Sequence, residues 1–200
     1  INNGSGGLVT PVAYAIGASP TSIVAADFNR DGSQDLAVAT SGNNKLYILL
    51  NNGSGQFTPQ PQSYNLGPNP ASLVAVDLDG KNGPDVVAVN VGDNKLSVRL
   101  NGGDGTFNAG TVAQEVIVKE TDTTTITTTG ARAVAAANLD GDSNPDLVTV
   151  FAITQNAAIL INQPGDNSFK SSKAYEVAST DPAMILLSDV DKDSKPDSII

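Results

Sequence analysis

A nine-residue acidic loop occurs four times in this chain, and its spacing constrains the fold more than any other feature. The copies are Asp27-Phe-Asn29-Arg-Asp31-Gly-Ser33-Gln-Asp35, Asp77-Leu-Asp79-Gly-Lys81-Asn-Gly-Pro-Asp85, Asn138-Leu-Asp140-Gly-Asp142-Ser-Asn144-Pro-Asp146 and Asp189-Val-Asp191-Lys-Asp193-Ser-Lys195-Pro-Asp197. They begin 50, 61 and 51 residues apart, so each belongs to a unit of about fifty residues that buries its apolar face by stacking on its neighbours. Apart from Lys81 in the second copy, oxygen-bearing side chains recur at loop positions 1, 3, 5 and 9, the alternation with which one turn of chain surrounds a hard cation.

Thirteen of the twenty-one Asp and Glu residues lie in these loops, in a chain of net charge −10. One divalent ion per loop would bring that charge to about −2, which favours cation sites over a generally acidic surface. The acidity also argues against binding a nucleic-acid backbone. His and Cys are absent. That removes the commonest general base, the commonest transition-metal ligand and any disulfide. No apolar run reaches the roughly 18 residues of a membrane span.

An apolar run precedes each loop, headed by Ser22, Ser72, Arg132 and Ala183, and another follows it from Asp35, Asp85, Asp146 and Asp197. Short runs rich in β-branched residues and bounded by turn residues read as buried strands, so the loop joins two adjacent strands. A third strand follows (from Lys45, Lys95 and Ala157) and ends in a turn at Asn51-Asn-Gly-Ser-Gly-Gln-Phe57, Asn101-Gly-Gly-Asp-Gly-Thr-Phe107 or Asn162 to Phe169. Asn-Gly and Gly-rich segments supply the positive φ angles that tight hairpins require. A fourth, more polar strand leads into the next repeat. Four strands per repeat, graded from apolar to polar, predict the blades of a β-propeller running from axis to rim.

This phased pattern, with its D-x-[DN]-x-D-G-x-x-D-[LV] loop and N-G-x-G-x-F turn, resembles the FG-GAP and VCBS-type repeats of integrin alpha-subunit-like β-propellers. The resemblance covers essentially the whole chain. It implies an all-β fold of four-stranded antiparallel blades, usually seven to a ring, with a calcium ion in the loop between the first two strands. The expected blades are 18–67, 68–129, 130–179 and an incomplete 180–200, in one propeller region spanning 1–200. Because the repeat phase begins at the end of a third strand and stops within a second, the expectation is part of a larger ring. The extra residues of the long repeat, 114–129, are Thr-rich and alternate in polarity, which predicts a lengthened hairpin at the rim.

An EF-hand is the rival reading of such loops. It requires a bidentate Glu at position 12, where this chain has Val38, Ala88, Thr149 and Ile200. The expected ligands are therefore the side chains of Asp27, Asn29, Asp31 and Asp35; Asp77, Asp79 and Asp85; Asn138, Asp140, Asp142 and Asp146; and Asp189, Asp191, Asp193 and Asp197. As the resemblance implies, the position-7 backbone carbonyls of Ser33, Asn144 and Lys195 join them. Three to four calcium ions are expected, one per loop. Loop 77–85 is the doubtful one, because Lys81 stands where the fifth-position acid belongs: its ammonium can neutralise the three aspartates in the ion's place, or a shifted Asn82 can complete the shell.

Asn3 and Asn52 head N-glycosylation sequons, yet the same residues serve the turns. Phe57, Phe107 and Phe169 read as packing anchors between blades. Every clustered Asp is claimed by a loop, leaving no spare carboxylate pair for glycoside hydrolysis, so the expectation is a non-enzyme. The resulting picture is an extracellular or cell-surface module with structural calcium, acting on a protein partner or in self-assembly. Two alternatives stand beside it: a lectin using Tyr14, Tyr47, Tyr64 or Tyr175 in the absence of Trp, and a scaffold portion of a larger polysaccharide-degrading enzyme.

Overall fold

The computed structural model describes residues 10–108, 130–163, 168–178, 181–193 and 195–200. Residues 114–129 and Asn3 lie outside the described residues. The described residues hold thirteen strands and no helix, so none that could cross a membrane. The first sheet comprises β1 (Pro20–Ala26), β2 (Asp35–Thr40), β3 (Lys45–Asn51) and β4 (Phe57–Asn65), paired antiparallel in chain order. The second holds β5 (Pro70–Val76), β6 (Asp85–Asn90) and β7 (Lys95–Arg99), with a bridge between Asn101 and Phe107 beyond it. β8 (Ala131–Ala137), β9 (Asp146–Phe151), β10 (Asn156–Gln163) and β11 (Ser168–Glu176) form the third. β12 (Leu186–Ser188) and β13 (Asp197–Ile199) pair as the fourth.

Each acidic loop connects the first two strands of its sheet. The first strands β1, β5, β8 and β12 contact one another in succession. β6 explains why the second strands read as unbroken apolar runs: Val86 and Ala88 enter the core shared with the first sheet, while Val87 and Val89 enter the core shared with the third. β9 repeats the arrangement, with Leu147 and Phe151 on one side and Val148 and Val150 on the other. A strand buried on both faces cannot alternate in polarity. The three cores thus lie between consecutive sheets, and burying them holds each sheet to the next.

A bulge recurs at the start of the first strands. Pairing register shifts between Pro20 and Ser22, Pro70 and Ser72, and Ala131 and Ala133. Arg132, which heads its apolar run in the sequence, is therefore a bulge residue, and Ala133 takes the place opposite Val150 that Ser22 takes opposite Ala39. The bulges aim polar groups at the next sheet. Thr21 Oγ1 donates to the Pro70 carbonyl at 2.6 Å, and the Arg132 guanidinium lies 3.9 Å from Asp181. Beside them, the hydroxyl oxygens of Ser22 and Ser72 accept the backbone N–H groups of Leu73 and Val134.

Candidate metal centres

The ninth loop residue fixes the geometry of the first three loops. Asp35, Asp85 and Asp146 open β2, β6 and β9 and have no exposed surface. Through Oδ2 each accepts the N–H of the second loop residue: Phe28 at 3.0 Å, Leu78 at 2.8 Å and Leu139 at 2.7 Å. Through Oδ1 each accepts the N–H of the asparagine beyond or at the end of the third strand: Asn51 at 2.8 Å, Asn101 at 2.8 Å and Asn162 at 2.9 Å. The carboxylate therefore ties its loop to the third strand of its own sheet without an ion. Asp197 repeats the first half, accepting from Val190 at 2.8 Å and Asp191 at 3.3 Å.

Those asparagines are functional residues that the sequence reading left as turn formers. Asn101 Nδ2 donates to the carbonyl of Phe28, in the loop of the preceding sheet, at 2.9 Å. Asn162 Nδ2 does the same to Leu78 at 2.8 Å. Loops 27–35 and 77–85 are thus stitched to the following sheet as well as to their own. The signal available in the sequence was an asparagine in phase at the close of every third strand.

The other loop acids organise the turn. In loops 27–35, 77–85 and 189–197 the position-5 N–H is accepted by the side chains at both positions 1 and 3, at 2.9–3.2 Å. In loop 138–146, Asp142 N–H donates to Asp140 at 3.0 Å, and Asn138 accepts from Gly141 instead. Ser33, Asn144 and Lys195 donate their N–H groups to the position-5 carboxylates. The fourth residue is left-handed in every loop, with φ of 62° at Arg30, 69° at Gly80, 85° at Gly141 and 66° at Lys192. This hydrogen-bonding draws the side-chain oxygens of positions 1 and 3 to the loop's inner side.

Two of the four loops bring three carboxylates together. One oxygen from each of Asp77, Asp79 and Asp85 lies within 4.8 Å of the others, and Asp189, Asp191 and Asp197 do the same. Ligands on opposite sides of a calcium ion at about 2.4 Å stand about 4.8 Å apart, so both triads fit one hard cation with an all-oxygen donor set. Among the described residues, no such triad forms in loops 27–35 and 138–146, where Asn29 or Asn138 replaces a carboxylate.

Lys81 lies beside the triad and not within it: its side chain is 69% exposed, and among the described residues its ammonium pairs only with Asp79, at 4.0 Å. An exposed pair of that length contributes little. Asp77, Asp79 and Asp85 therefore converge without a fixed counter-charge at their centre. The consequence appears on Asp85, whose carboxyl is pushed up to about 7, chiefly by burial and further by the charges of Asp79 and Asp77. Burial raises Asp35 as well. Asp31 and Asp142 are lowered, each mainly by the side-chain amide of its asparagine neighbour, Asn29 or Asn144.

The aromatic residues mainly serve packing. Tyr64 OH accepts the Phe107 N–H at 3.0 Å and its ring meets Phe107 edge-on at 5.5 Å. Tyr14 and Phe57 form the same pair one repeat earlier, at 5.8 Å. Phe169 packs against the core between the second and third sheets. Of the tyrosines considered as sugar platforms, Tyr64 is thus buried, whereas Tyr175 is 46% exposed on the rim of a cavity of about 390 Å³ between the third and fourth sheets.

Consecutive antiparallel sheets joined through their faces, each with an acidic loop between its first two strands, define a β-propeller module. The chain belongs to the FG-GAP-like repeat family, whose model matches residues 27–88 and 77–149. A search of curated protein sequences gives no significant match. Among solved structures, the chain is similar to the Pseudomonas aeruginosa periplasmic gluconolactonase PpgL, with a TM-score of 0.55, 16% identity and coverage of 84% of this chain and 42% of that one. It is also similar to BBS1N in its complex with ARL6DN, with a TM-score of 0.54, 16% identity and coverage of 90% and 50%. The chain spans half or less of the length of these two structures. At such identities the likeness concerns the fold.

Proposed function

We propose that this chain is a non-catalytic, calcium-stabilised propeller module of an extracellular or cell-surface protein, in which the ions hold the architecture and the recognition of a protein partner or another copy occurs elsewhere on its surface. The observation that carries the calcium reading is the convergence of Asp77, Asp79 and Asp85, repeated at Asp189, Asp191 and Asp197. Oxygen-only donors suit calcium, and modules of extracellular settings hold it with dissociation constants on the order of 10⁻⁴ to 10⁻³ M. In bound form Asp77 and Asp79 would face the ion directly. Asp85 would contribute one oxygen while its backbone hydrogen bonds keep the loop tied to β7. The ion's contribution is to cancel the repulsion among the three carboxylates. Binding to the native state alone then stabilises it by mass action.

Calorimetric titration of calcium into metal-free protein tests this reading. Saturable binding is expected, weakened in an Asp77→Asn/Asp79→Asn variant and in an Asp189→Asn/Asp191→Asn variant; absence of saturable heat, or no change in both variants, contradicts it. A glycan-binding reading is favoured by one observation, the exposed Tyr175 beside the cavity between the third and fourth sheets. Retention of oligosaccharides on a glycan array, lost in Tyr175→Ala, would select it.

A further inference from the structure

Three Asn-Gly pairs lie among the described residues: Asn52-Gly53, Asn82-Gly83 and Asn101-Gly102. Such a pair is the most permissive setting for deamidation, because glycine places no Cβ in the path of its own backbone nitrogen toward the asparagine Cγ. The reaction needs two free partners, an asparagine amide able to turn and a glycine N–H not held elsewhere. The fold treats the three pairs differently on both counts.

At Asn52, Oδ1 accepts the N–H groups of Ser54 at 2.9 Å and Gln56 at 3.3 Å, and Nδ2 donates to Gln56 at 3.2 Å. The Gly53 N–H is itself donated to Asn51 Oδ1 at 3.1 Å. Asn101 is buried, donates to the carbonyls of Phe28 and Pro84, and accepts from Gly103 at 2.8 Å. Its Gly102 N–H is bound to the Thr106 carbonyl at 2.7 Å. Asn82 is exposed, and among the described residues neither its side-chain amide nor the Gly83 N–H makes a hydrogen bond. Both residues are left-handed, with φ of 61° and 84°.

We infer that Asn82 is a site of spontaneous deamidation in the folded protein, and that this modification rewrites the acidic loop 77–85. The Gly83 nitrogen, losing its proton to water, attacks Asn82 Cγ. The Cγ–Nδ2 bond breaks, ammonia leaves, and a five-membered imide forms. Water opens that imide at either carbonyl, so that asparagine plus water becomes aspartate or isoaspartate plus ammonia. Either product places a further carboxylate at the sixth loop position, next to Lys81 and in the loop that already gathers Asp77, Asp79 and Asp85. Isoaspartate also adds one methylene to the backbone between the sixth and seventh positions, displacing the turn that leads into β6. The inference does not depend on calcium: it rests on hydrogen bonds present at two pairs and missing at the third.

Peptide mass spectrometry of the full chain, aged at mildly alkaline pH in native buffer and in parallel in denaturant, provides the test. In native buffer, conversion at Asn82 is expected to run several-fold faster than at Asn52 and Asn101, with isoaspartate among the products. In denaturant the three rates are expected to converge, because each pair then has the same glycine and no fold to hold it. Asn82→Gln is expected to remove the fast phase without slowing the other two sites. Conversion in native buffer led by Asn52 or Asn101, or a lead at Asn82 that persists in denaturant, would overturn the inference.

Discussion

At position 9 of the first three loops, a carboxylate with no exposed surface receives backbone N–H groups from two separate segments, and this makes it unlike its loop partners, which are half-buried or exposed. Asp35→Ala strands the N–H groups of Phe28, Asn29 and Asn51, and is expected to cost about 3 kcal/mol or more in denaturant unfolding even in chelator. Asp31→Ala removes an exposed side chain and is expected to stay within about 1 kcal/mol under the same conditions. Proton linkage gives a second prediction. Burial raises the Asp85 carboxyl from 3.8 to about 7 in the folded chain, so between those values the native state binds more protons than the unfolded one. Metal-free stability then falls as pH rises through that window and levels off above it. Subtracting the pH profile of Asp85→Asn isolates this contribution, and saturating calcium, which holds the carboxylate ionised, is expected to abolish the advantage of low pH. Much of the residue scale was legible in the sequence, since spacing alone marked the loop positions. Two things were not. The direction of the Lys81 side chain is settled by local conformation, and the dual bonding of Asp35, Asp85 and Asp146 joins groups 16 residues apart.

Two strand-closing asparagines, Asn101 and Asn162, belong to the scale of the element, because each joins a loop of one sheet to the third strand of the next. Asn101→Ala removes donors to Phe28 and Pro84 and the acceptor for Gly103, and is expected to lower stability by about 2 kcal/mol and to weaken calcium binding where loop 27–35 holds an ion. Asn51→Ala, whose Nδ2 bond stays within its own sheet's loop at Gln34, is expected to leave that coupling unchanged. Thermal melts paired with calcium titration of the two variants separate these outcomes. Strands were legible because their apolar runs repeat in phase. The stitching was not, because Asn162 and Leu78 are 84 residues apart and nothing in a local window links them. The bulge at Arg132 was similarly hidden: an extra residue shifts the pairing register without altering the apolar pattern that marks the strand.

Across the molecule, three apolar cores between sheets and a set of acidic loops at the strand connections divide the labour of stability. The cores are independent of ions, whereas the triads Asp77–Asp79–Asp85 and Asp189–Asp191–Asp197 concentrate negative charge that the fold alone leaves uncompensated at their centres. Calcium should therefore act as a condition of full cooperativity. A thermal melt of the same preparation in millimolar calcium, in millimolar magnesium and in chelator tests this most directly. The melting temperature is expected to rise with the logarithm of calcium concentration, by several degrees or more over chelator, with magnesium markedly less effective because it demands a smaller, near-octahedral site. A melting temperature unchanged between calcium and chelator would contradict it.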